Sequence, residues 1–539
     1  MKKLAKKVEI IELEKAADES GLSFDQMMEN AGRCTAAEIT SIFQDLHGYN
    51  VLIMVGGGNN GGDGLVAGRY LIESGANVIF YLSHPRKMTD KNYENLLNLN
   101  CTVIEAENDK NHLQLEEELK KSDIIVDALL GTGFSPPLKG KIGSILKKVE
   151  SVLSELIDKP FIVAVDCPSG LDVDTGDIES SILPADMTVT FAVAKHGFFK
   201  LPGAEMAGQV KIVDIGIPPE LPEHTSLNIQ IPEEEDIRGW MPARPLDAHK
   251  GTFGRLLIIA GSVNFPGAAA LAGVGAYRSG AGLVTLAVPS NIQHLIAPII
   301  PEVTWLLLAH EMGVIQENAV DVLTKKIMDY QACVIGPGLG RDNNTRDFLQ
   351  KLIFIRSNQK GNIGFIHEGL NKNKQGGMLP PTVIDADGLN LMTELDDWEN
   401  QIPENCILTP HPGEMARLTG LKIEDIQSAR IEIAKKYSKK WSAIVVLKGA
   451  FTVIAHPEKD PVIIPLATPA LARAGSGDVL AGVIGSLLAQ GLTPYRAAVV
   501  GAYLHGTAGK IAFEVTGNAA GVIASDIAEL IPAAINEIK

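Results

Sequence analysis

Short runs of β-branched and aliphatic residues alternate along the whole chain with longer segments of helical periodicity. This alternation is typical of βαβ units and predicts α/β domains with parallel sheets covered by helices. Polar residues follow most of the predicted strands, at the sheet edge where open α/β folds bind ligands. The predicted strands are Val51–Val55, Ala76–Leu82, Asp123–Asp127, Phe161–Asp166, Met187–Val193, Leu256–Ala260, Leu283–Val288, Ala332–Ile335, Thr382–Asp385, Cys406–Leu408, Ala443–Leu447 and Phe451–Ala455.

A proline-rich stretch, residues 217–245, separates the chain into two halves. Proline blocks both helices and central strands, so we predict two domains, 1–220 and 221–539. The acidic run Glu233–Asp236 inside this stretch is interpreted as a hydrated surface. The chain has 539 residues, 45% of them hydrophobic, which is enough material for two cores. A polar stretch, Ser357–Met378, is predicted to be a surface insertion in the second half.

Charge and cysteine content argue against several classes of protein. The chain has 48 Lys and Arg against 65 Asp and Glu, so we expect no nucleic-acid partner, because such binding needs a basic face. Its five cysteines form no C-x-x-C pair, which disfavours zinc sites and disulfide frameworks. Neither a signal peptide nor a membrane-spanning run is present in the sequence, so we expect a cytoplasmic protein without a membrane partner. We also expect a homo-oligomer, although nothing in the chain specifies its symmetry.

The first predicted strand leads into the glycine-rich segment GGGNNGGDG, in which Gly56, Gly58 and Gly61 match G-x-G-x-x-G before a helix. Such glycines let backbone N–H groups at a helix start hold a phosphate, and a tight βα turn is the alternative. The next strand ends in LSHPR, without the acid that binds a ribose in nicotinamide dehydrogenases. That absence argues against a dehydrogenase, although Arg86 leaves room for a 2′-phosphate.

Two further strand ends in the first half carry oxygen ligands. Asp127 leads into the loop Gly131–Pro137, which is suited to an anion, and the fourth strand ends with Asp166 shortly before Ser169. If these strands are parallel neighbours, Asn60, Asp127 and Ser169 meet at one point, and oxygen-only ligands suit a hard cation. Helix capping is the alternative role for Asp127 and Asp166.

The segments GGGNNGGDG, DALLGTGF and VDCPSGLD resemble the YjeF N-terminal domain, the NAD(P)H-hydrate epimerase family, over about residues 10–216. The resemblance implies a Rossmann-like three-layer α/β/α sandwich that acts on NADH hydrate and NADPH hydrate. It also implies a potassium ion held by Asn60, Asp127 and Ser169. Epimerising the hydrated C6 of a nicotinamide ring needs a proton carrier, and the Asp166 carboxylate can serve. The implied substrate contacts are Asn59, Asn60, Gly61, Gly62, Asp63, Gly131, Thr132, Gly133, Phe134, Ser135, Pro136, Pro137 and Asp166.

In the second half, the clearest motif is AGSGD at residues 474–478, at the start of a predicted helix. Its small residues place backbone N–H groups around an anion, and Asp478 can take a proton from a hydroxyl that attacks a phosphoryl group. An ordinary glycine turn with an acid at a helix N-terminus is the alternative. No G-x-x-x-x-G-K-[ST] sequence occurs, which argues against a P-loop ATPase.

Other polar segments of the second half follow predicted strands. Gly336–Gly340, Asp385–Gly388 and Thr409–Glu414 each end a strand, and Lys448–Thr452 links two. A lone histidine such as His411 is either structural or catalytic. Lys448 could pair with a phosphate or cap the end of its strand.

The segments PGAAALAG, IGPGLG, IDADGLN, LTPHPGE, LKGAFT and AGSGDVLAG resemble the ribokinase-like fold and, more narrowly, the YjeF C-terminal domain, the ADP- or ATP-dependent NAD(P)H-hydrate dehydratase family. The match runs from about His249 to Ile531. It implies phosphorylation of the C6 hydroxyl with magnesium present, then elimination of phosphate, with Asp478 as base and residues 475–477 as the anion hole. The family often has Thr where this chain has Ser476, which keeps the hydroxyl. The implied contacts are Ala268, Gly340, His411 and Asp478 with the hydrate, and Lys448, Gly449, Ala450, Phe451, Thr452, Gly475, Ser476 and Gly477 with ADP.

Together the two halves predict a bifunctional repair enzyme that epimerises hydrated NADH and NADPH and dehydrates the S form with ADP, giving AMP and phosphate. One alternative is a ribokinase-like small-molecule kinase, such as a hydroxymethylpyrimidine or thiazole kinase. Another is a non-catalytic N-terminal domain that only binds a ligand.

Overall fold

The computed structural model contains two compact units, Lys2–Ile229 and Gln230–Lys539, with Met1 belonging to the second. The division lies within the proline-rich stretch 217–245. The predicted insertion Ser357–Met378 lies outside the described residues. Among the residues that are described, no helix has both the length and the apolar character needed to cross a membrane. The described residues are 1–87, 89–99, 101–138, 140–354, 379–403 and 405–538.

The strands of the N-terminal unit are β1 (Lys2–Ala5), β2 (Asn50–Val55), β3 (Asn77–Leu82), β4 (Thr102–Glu105), β5 (Ile124–Ala128), β6 (Phe161–Val165), β7 (Met187–Phe191), β8 (Ala194–Lys195) and β9 (Gln209–Val213). The main sheet has the order β4-β3-β2-β5-β6-β7-β9, and all of its neighbouring strands are parallel. The short strands β1 and β8 form a further parallel pair. The order reverses between β2 and β5, which is the point where doubly wound sheets bind ligands.

Helices cover both faces of this sheet. Along β2, Val51, Ile53 and Val55 face the core beneath α2 and α3, whereas Leu52 and Met54 face the core beneath α5 and α6. This alternation of buried side chains confirms the predicted three-layer α/β/α sandwich. The helices are α1 (Lys7–Glu19), α2 (Phe24–Phe43), α3 (Asn59–Glu73), α4 (Lys91–Leu97), α5 (Leu113–Leu119), α6 (Gly140–Glu155), α7 (Gly203–Ala207) and α8 (Pro222–Thr225).

The C-terminal unit contains the strands β10 (Ile229–Ile231), β11 (Arg255–Ile259), β12 (Leu283–Pro289), β13 (Thr304–Leu308), β14 (His310–Glu311), β15 (Val314–Ile315), β16 (Ala332–Ile335), β17 (Thr382–Ile384), β18 (Ile407–Leu408), β19 (Ile444–Leu447), β20 (Val453–Ala455) and β21 (Val462–Ile463). Its sheet has the order β13-β12-β11-β16-β17-β18-β19-β20-β21-β10. The strands from β13 to β19 are parallel, and β20 is antiparallel to both of its neighbours. The order reverses between β11 and β16.

The helix α18 lies in the middle of the C-terminal core. It packs against α10 so closely that a Cβ added at Gly482 would lie 2.0 Å from the carbonyl oxygen of Ala272. This contact fixes the position of the helix that begins at the AGSGD motif. The helices are α9 (Glu234–Trp240), α10 (Pro266–Arg278), α11 (Gln293–Ile296), α12 (Val320–Thr324), α13 (Asn343–Ile353), α14 (Asp387–Met392), α15 (Pro412–Thr419), α16 (Ile423–Ser428), α17 (Arg430–Trp441), α18 (Ser476–Ala489), α19 (Pro494–Thr516) and α20 (Ala524–Ile538).

Each predicted strand is present, with ends shifted by one or two residues. One shift concerns the site: Asp166, predicted as the last residue of its strand, lies just beyond β6 with φ of +65°. The short strands β1, β4, β8, β9, β10, β13, β14, β15 and β21 were not predicted. Strands of two to five residues give too little alternation to be detected from sequence.

Candidate active sites

The N-terminal cleft lies at the reversal between β2 and β5. Gly56 follows β2 and packs so tightly that an added Cβ would lie 1.8 Å from the carbonyl oxygen of Leu129, in the loop after β5. The helix α3 begins at Asn59, and its N-cap residue Gly58 offers no side chain to its first amide groups. The Gly56 amide donates to the Ala128 carbonyl at 2.9 Å, so an anion would meet the first amides of α3 and not that of Gly56.

Asn60, Asp127 and Ser169 meet around the backbone of Leu130. Asn60 Nδ2 donates to the Leu130 carbonyl at 2.9 Å, and Ser169 Oγ accepts from the Leu130 amide at 2.9 Å. Asp127 accepts from the Ser169 amide and hydroxyl at 2.8 and 2.6 Å, and burial raises the pKa of this carboxyl. Asn60 Oδ1 is buried without a hydrogen-bond partner. An unsatisfied buried oxygen beside a carboxylate and a hydroxyl fits a hard monovalent cation such as potassium.

Asp166 pairs with a lysine that the sequence analysis did not identify. Lys195, at the end of β8, has only 1% of its side chain exposed, and its ammonium donates to Asp166 Oδ1 at 2.5 Å. Thr190 Oγ1 lies 3.3 Å from the same carboxylate oxygen. Asp63 is the fifth residue of α3, close enough for the Asp166 charge to act on it. Burial, together with the charges of Asp166 and Glu14, raises the pKa of Asp63 well above its ordinary value.

Arg86 supports the glycine loop instead of facing a 2′-phosphate. Its guanidinium donates to the carbonyls of Gly56 and Gly58 at 2.6 and 2.9 Å and pairs with Asp90. The loop Gly131–Pro137 begins beside Asn60, because a Cβ added at Gly131 would lie 3.2 Å from Asn60 Cβ. Its remaining residues are partly or fully exposed, so this predicted contact loop lies open to a ligand.

The C-terminal cleft lies at the reversal between β11 and β16, beneath the first turn of α10. A Cβ added at Gly338 would lie 2.7 Å from Ala268 Cβ, so the loop after β16 and the start of α10 are in contact. The Gly340 amide donates to Asp387 Oδ2 at 2.9 Å. Ala268 and Gly340, both predicted to contact the hydrate, therefore lie along one wall of the cleft.

Asp478 lies in the first turn of α18, whose N-cap residue Gly475 has φ of +90° and offers no side-chain cap. A Cβ added at Gly477 would lie 3.4 Å from Lys448 Nζ and 3.7 Å from Asp385 Oδ2. Burial, helped by the charge of Asp385, raises the pKa of Asp478 to about 7. A carboxyl with that pKa is suited to general-base catalysis near neutral pH.

The Lys448 side chain supplies a positive charge in this cleft. Its Nζ donates to Asp385 Oδ1 at 2.7 Å and lies 3.7 Å from Glu414 Oε2. Burial opposes the charged ammonium, but the charges of Asp385 and Glu414 outweigh it and raise the pKa of Lys448. Thr409 Oγ1 also donates to Asp385 Oδ1, at 2.7 Å, whereas Asp385 Oδ2 is buried without a partner. The lysine therefore pairs with side chains of the cleft and does not cap its own strand.

His411 has a structural role through one nitrogen. Its Nδ1 accepts from the Gly413 and Glu414 amides at 3.0 and 3.3 Å, which caps α15. Burial lowers the pKa of His411, so the ring is neutral near pH 7. Because Nδ1 accepts two N–H groups, the ring proton lies on Nε2, and this N–H is the group that a substrate could meet.

The predicted ADP loop Lys448–Thr452 is held from behind by Arg430. The Arg430 guanidinium donates to the carbonyls of Leu447 and Lys448 at 3.0 and 3.3 Å, and burial lowers the pKa of this group to about 10. Within the loop, Thr452 Oγ1 donates to the Gly449 carbonyl at 3.1 Å. These hydrogen bonds hold the loop at the end of β19, where its first residue is Lys448.

Two family models match the chain in succession. The model of the YjeF-related protein N-terminus matches residues 24–197, and the model of NAD(P)H-hydrate dehydratase matches residues 256–533. The bifunctional NAD(P)H-hydrate repair enzyme Nnr of Moorella thermoacetica is 36% identical over 95% of this chain and 92% of its own length. The chain belongs to the family of bifunctional NAD(P)H-hydrate repair enzymes.

Another bifunctional enzyme is similar over almost the whole chain, and a solved dehydratase structure is similar over part of it. The Salinibacter ruber enzyme is 34% identical over 96% of this chain and 92% of its own length. The structure of the ADP/ATP-dependent NAD(P)H-hydrate dehydratase from Bacillus subtilis, co-crystallized with ATP and Mg²⁺, is 30% identical, with a TM-score of 0.47, and covers 58% of this chain and 100% of its own. Both halves match repair-enzyme models, so a small-molecule kinase with a non-catalytic N-terminal module is not favoured.

The repair enzyme also contains site residues that sequence reasoning missed. Besides Lys195, these include His505 on α19, which is buried, with Nε2 lacking a hydrogen-bond partner. Burial lowers the pKa of His505 to about 4, and a hydrogen bond with the Ser476 backbone opposes this decrease. The Ser476 hydroxyl itself donates to the carbonyls of Leu471 and Arg473 at 2.8 and 2.9 Å, so it stabilises the turn. The available signal was weak: Lys195 and His505 each follow directly after an apolar run, FAVA and VVGAYL.

Replacing Gly336 with alanine is expected to destabilise the repair enzyme by more than about 2 kcal/mol. Gly336 has φ of +128°, and an added Cβ would lie 1.8 Å from the Asp385 carbonyl oxygen. Urea unfolding of the C-terminal unit measures the loss. Gly491→Ala is the matched control, because Gly491 has φ of +95° with open space around the missing Cβ. Equal losses in the two variants would show that the close contact at Gly336 contributes nothing.

Proposed function

We propose that this bifunctional NAD(P)H-hydrate repair enzyme divides its two reactions between its units. Residues 1–220 epimerise the R and S hydrates of NADH and NADPH, and residues 221–539 dehydrate the S hydrate with ADP, giving AMP and phosphate. The observation that carries the proposal is the partly buried Asp478 carboxyl at the start of α18, which has no side-chain cap and lies near Lys448. A base, a cation and a helix N-terminus without a side-chain cap at one point are the parts of a phosphoryl-transfer site.

In the dehydratase reaction, Asp478 takes the proton of the C6 hydroxyl while the oxygen of that hydroxyl attacks the terminal phosphoryl group of ADP. The new C6–O–P bond forms as the bond to the AMP oxygen breaks, and the Gly475–Gly477 amides stabilise the charge on the transferred group. Loss of phosphate from C6 and of a proton from C5 then restores the dihydronicotinamide. The walls formed by Ala268 and Gly340, and the Nε2–H of His411, position the hydrate. ATP would react in the same way and leave ADP.

Asp385 would hold magnesium in this cleft. Its Oδ2 is buried and lacks a hydrogen-bond partner, although its Oδ1 pairs with Lys448 and Thr409. Such an unsatisfied carboxylate oxygen supports the fit of a hard divalent cation. When bound, magnesium neutralises phosphate charge.

In the epimerase reaction, the Asp166 carboxylate is the group that moves a proton at the C6 carbinol. The start of α3, Asn59–Asp63, and the loop Gly131–Pro137 bind the substrate. Asn60, Asp127 and Ser169 would hold potassium, and the unpartnered Asn60 Oδ1 supports that fit. When bound, potassium supplies positive charge for the substrate's phosphates.

The proposed location is the cytoplasm, and the proposed assembly is a homo-oligomer. Both proposals rest on the sequence alone. Light scattering of the purified chain tests the assembly, and a mass equal to one chain would contradict it.

The test of the proposed function follows the near-ultraviolet absorbance of NADH in an R/S mixture of NADH hydrate with magnesium, potassium and ADP. We expect complete recovery of NADH, faster than spontaneous exchange of the epimers allows. Omitting potassium is expected to slow recovery of the R fraction alone. Recovery that stops after the S fraction would refute the epimerase, and no nucleotide-dependent recovery would refute the dehydratase and favour a small-molecule kinase.

A further inference from the structure

Lys195 is buried in the N-terminal cleft, where a lysine needs compensating partners. Only 1% of its side chain is exposed, and its ammonium donates to Asp166 Oδ1 and to Thr190 Oγ1, each at 2.5 Å. Thr190 is itself fully buried and in turn lies 3.3 Å from the same Asp166 oxygen. The Lys195 ammonium, the Asp166 carboxylate and the Thr190 hydroxyl all contact one another, so movement of the ammonium would break its ion pair with Asp166.

The backbone also fixes Asp166 in place. Its φ of +65° is uncommon for a residue other than glycine, and its amide donates to the Val189 carbonyl at 2.8 Å. Asp166 thus follows β6, Thr190 lies on β7 and Lys195 ends β8. Two neighbouring strands of the main sheet and the separate strand β8 thus bring one carboxylate, one hydroxyl and one ammonium together.

Two further carboxyls interact with this group. Burial and the charge of Asp166 raise the pKa of Glu14, on α1. Burial and the charges of Asp166 and Glu14 raise the pKa of Asp63 well above its ordinary value. Lys195 opposes both increases. Asp63 therefore keeps its proton to a higher pH than an ordinary aspartic acid, whereas Asp166 has the ammonium as its direct partner.

We propose that Lys195 is a positioning residue for epimerisation, which holds the Asp166 carboxylate at a fixed point of the cleft as the direct partner of its ammonium. The inference rests on the proposed role of Asp166. Epimerisation at a carbinol requires a proton acceptor and a proton donor in one cleft. The ion pair with Lys195 keeps one carboxylate, Asp166, where it can accept that proton.

A pH dependence follows from the groups that act in this cluster. The groups are Glu14 on α1, Asp63 on α3, Arg86 after β3, Cys167 next to Asp166, Thr190 on β7 and Lys195 on β8. Without the ammonium, Asp166 faces two acidic side chains and loses its partner cation. The acidic limb of the epimerisation profile should then move to higher pH by about one to three pH units.

The experiment uses the full chain without nucleotide, starting from S-NADH hydrate and separating the R and S forms by chromatography over a range of pH. In Lys195→Met, we expect the alkaline shift and a loss of kcat of about 10-fold or more near neutral pH, with KM little changed. Lys195→Arg should restore the native profile, because its guanidinium keeps the charge. Thr190→Val should shift the profile in the same direction by less, and it supplies the test if Lys195→Met does not fold.

Lys200→Met is the matched control, because the Lys200 ammonium donates to the Asp174 carbonyl at 2.8 Å and not to Asp166, so its loss should leave the profile unchanged. A loss of the same size at every pH in Lys195→Met and Thr190→Val would overturn the positioning role. Failure of Lys195→Arg to restore the profile would do the same. Asp166→Asn distinguishes the two proposals: if that variant still epimerises, the role proposed for Asp166 itself is wrong.

Discussion

Asp478→Asn is expected to abolish dehydration while making the folded C-terminal unit more stable. Asparagine keeps the shape of the side chain but cannot take the hydroxyl proton, so kcat for S-hydrate dehydration should fall by about 10³-fold or more. The pKa of Asp478 is raised to about 7 from 3.8, chiefly by burial. At pH above 7 the folded chain must keep this charge buried, which costs up to about 4 kcal/mol relative to the unfolded chain.

The sign of the pH dependence follows from that raised pKa. Between about pH 4 and pH 7 the folded chain holds a proton that the unfolded chain has lost, so native stability decreases as pH rises. The stability gained by Asp478→Asn should therefore be largest above pH 7 and absent near pH 4. The native dehydratase should gain activity as pH rises through about 7, because only the ionised carboxylate is a base.

Thermal unfolding and steady-state kinetics at several pH values check both effects. Asp526→Asn is the matched control, since Asp526 occupies the same third position of its helix, α20, but accepts from the Ile523 amide just before that helix. The control should keep dehydratase activity. An Asp478→Asn variant that is inactive but no more stable at high pH would show that the Asp478 charge does not destabilise the folded chain. An active variant would show that Asp478 is not the catalytic base.

Asp166→Asn is expected to stop enzymatic exchange of the R and S hydrates and to leave dehydration intact. Asparagine can still accept from Lys195 and Thr190, so the cleft keeps its packing while it loses the proton acceptor. With ADP and magnesium, the S fraction of a mixed hydrate should be recovered at the native rate. The R fraction should then follow only at the rate of spontaneous exchange, a loss of about 10²-fold to 10⁴-fold in the catalysed reaction.

Asp123→Asn is the control for this variant. Asp123 bonds to the Asn50 amide at the opposite end of the sheet and should keep both activities. The measurement is the biphasic recovery of NADH absorbance. Native recovery of the R fraction in Asp166→Asn would show that another group carries the proton.

The parts of the sites that lie on one short segment could be predicted from the sequence. The glycine segment at the start of α3 and the AGSGD segment at the start of α18 carry their predicted contacts in consecutive residues, because a helix start presents its own amides. The parallel sheets then bring the ends of neighbouring strands together, as expected for Asn60, Asp127 and Ser169.

Partners that meet only through tertiary packing could not be predicted. Lys195 lies 29 residues from Asp166 on a two-residue strand that is too short to recognise. Asp385 and Lys448 are 63 residues apart, and their pairing depends on the order of β17 and β19 in the sheet. His411 was assigned correctly to a strand end, but the use of its Nδ1 as a helix cap depends on backbone geometry that no pattern of residue types reveals.

Each cleft is built from the strands of its own unit, yet the two units share one polypeptide. Translation therefore supplies the two catalysts in a fixed one-to-one amount. Changes in expression would alter the total capacity for repair without altering the ratio of the two capacities. The steady-state balance of R and S hydrates would then depend on the rate constants of the two sites and on the nucleotide supply.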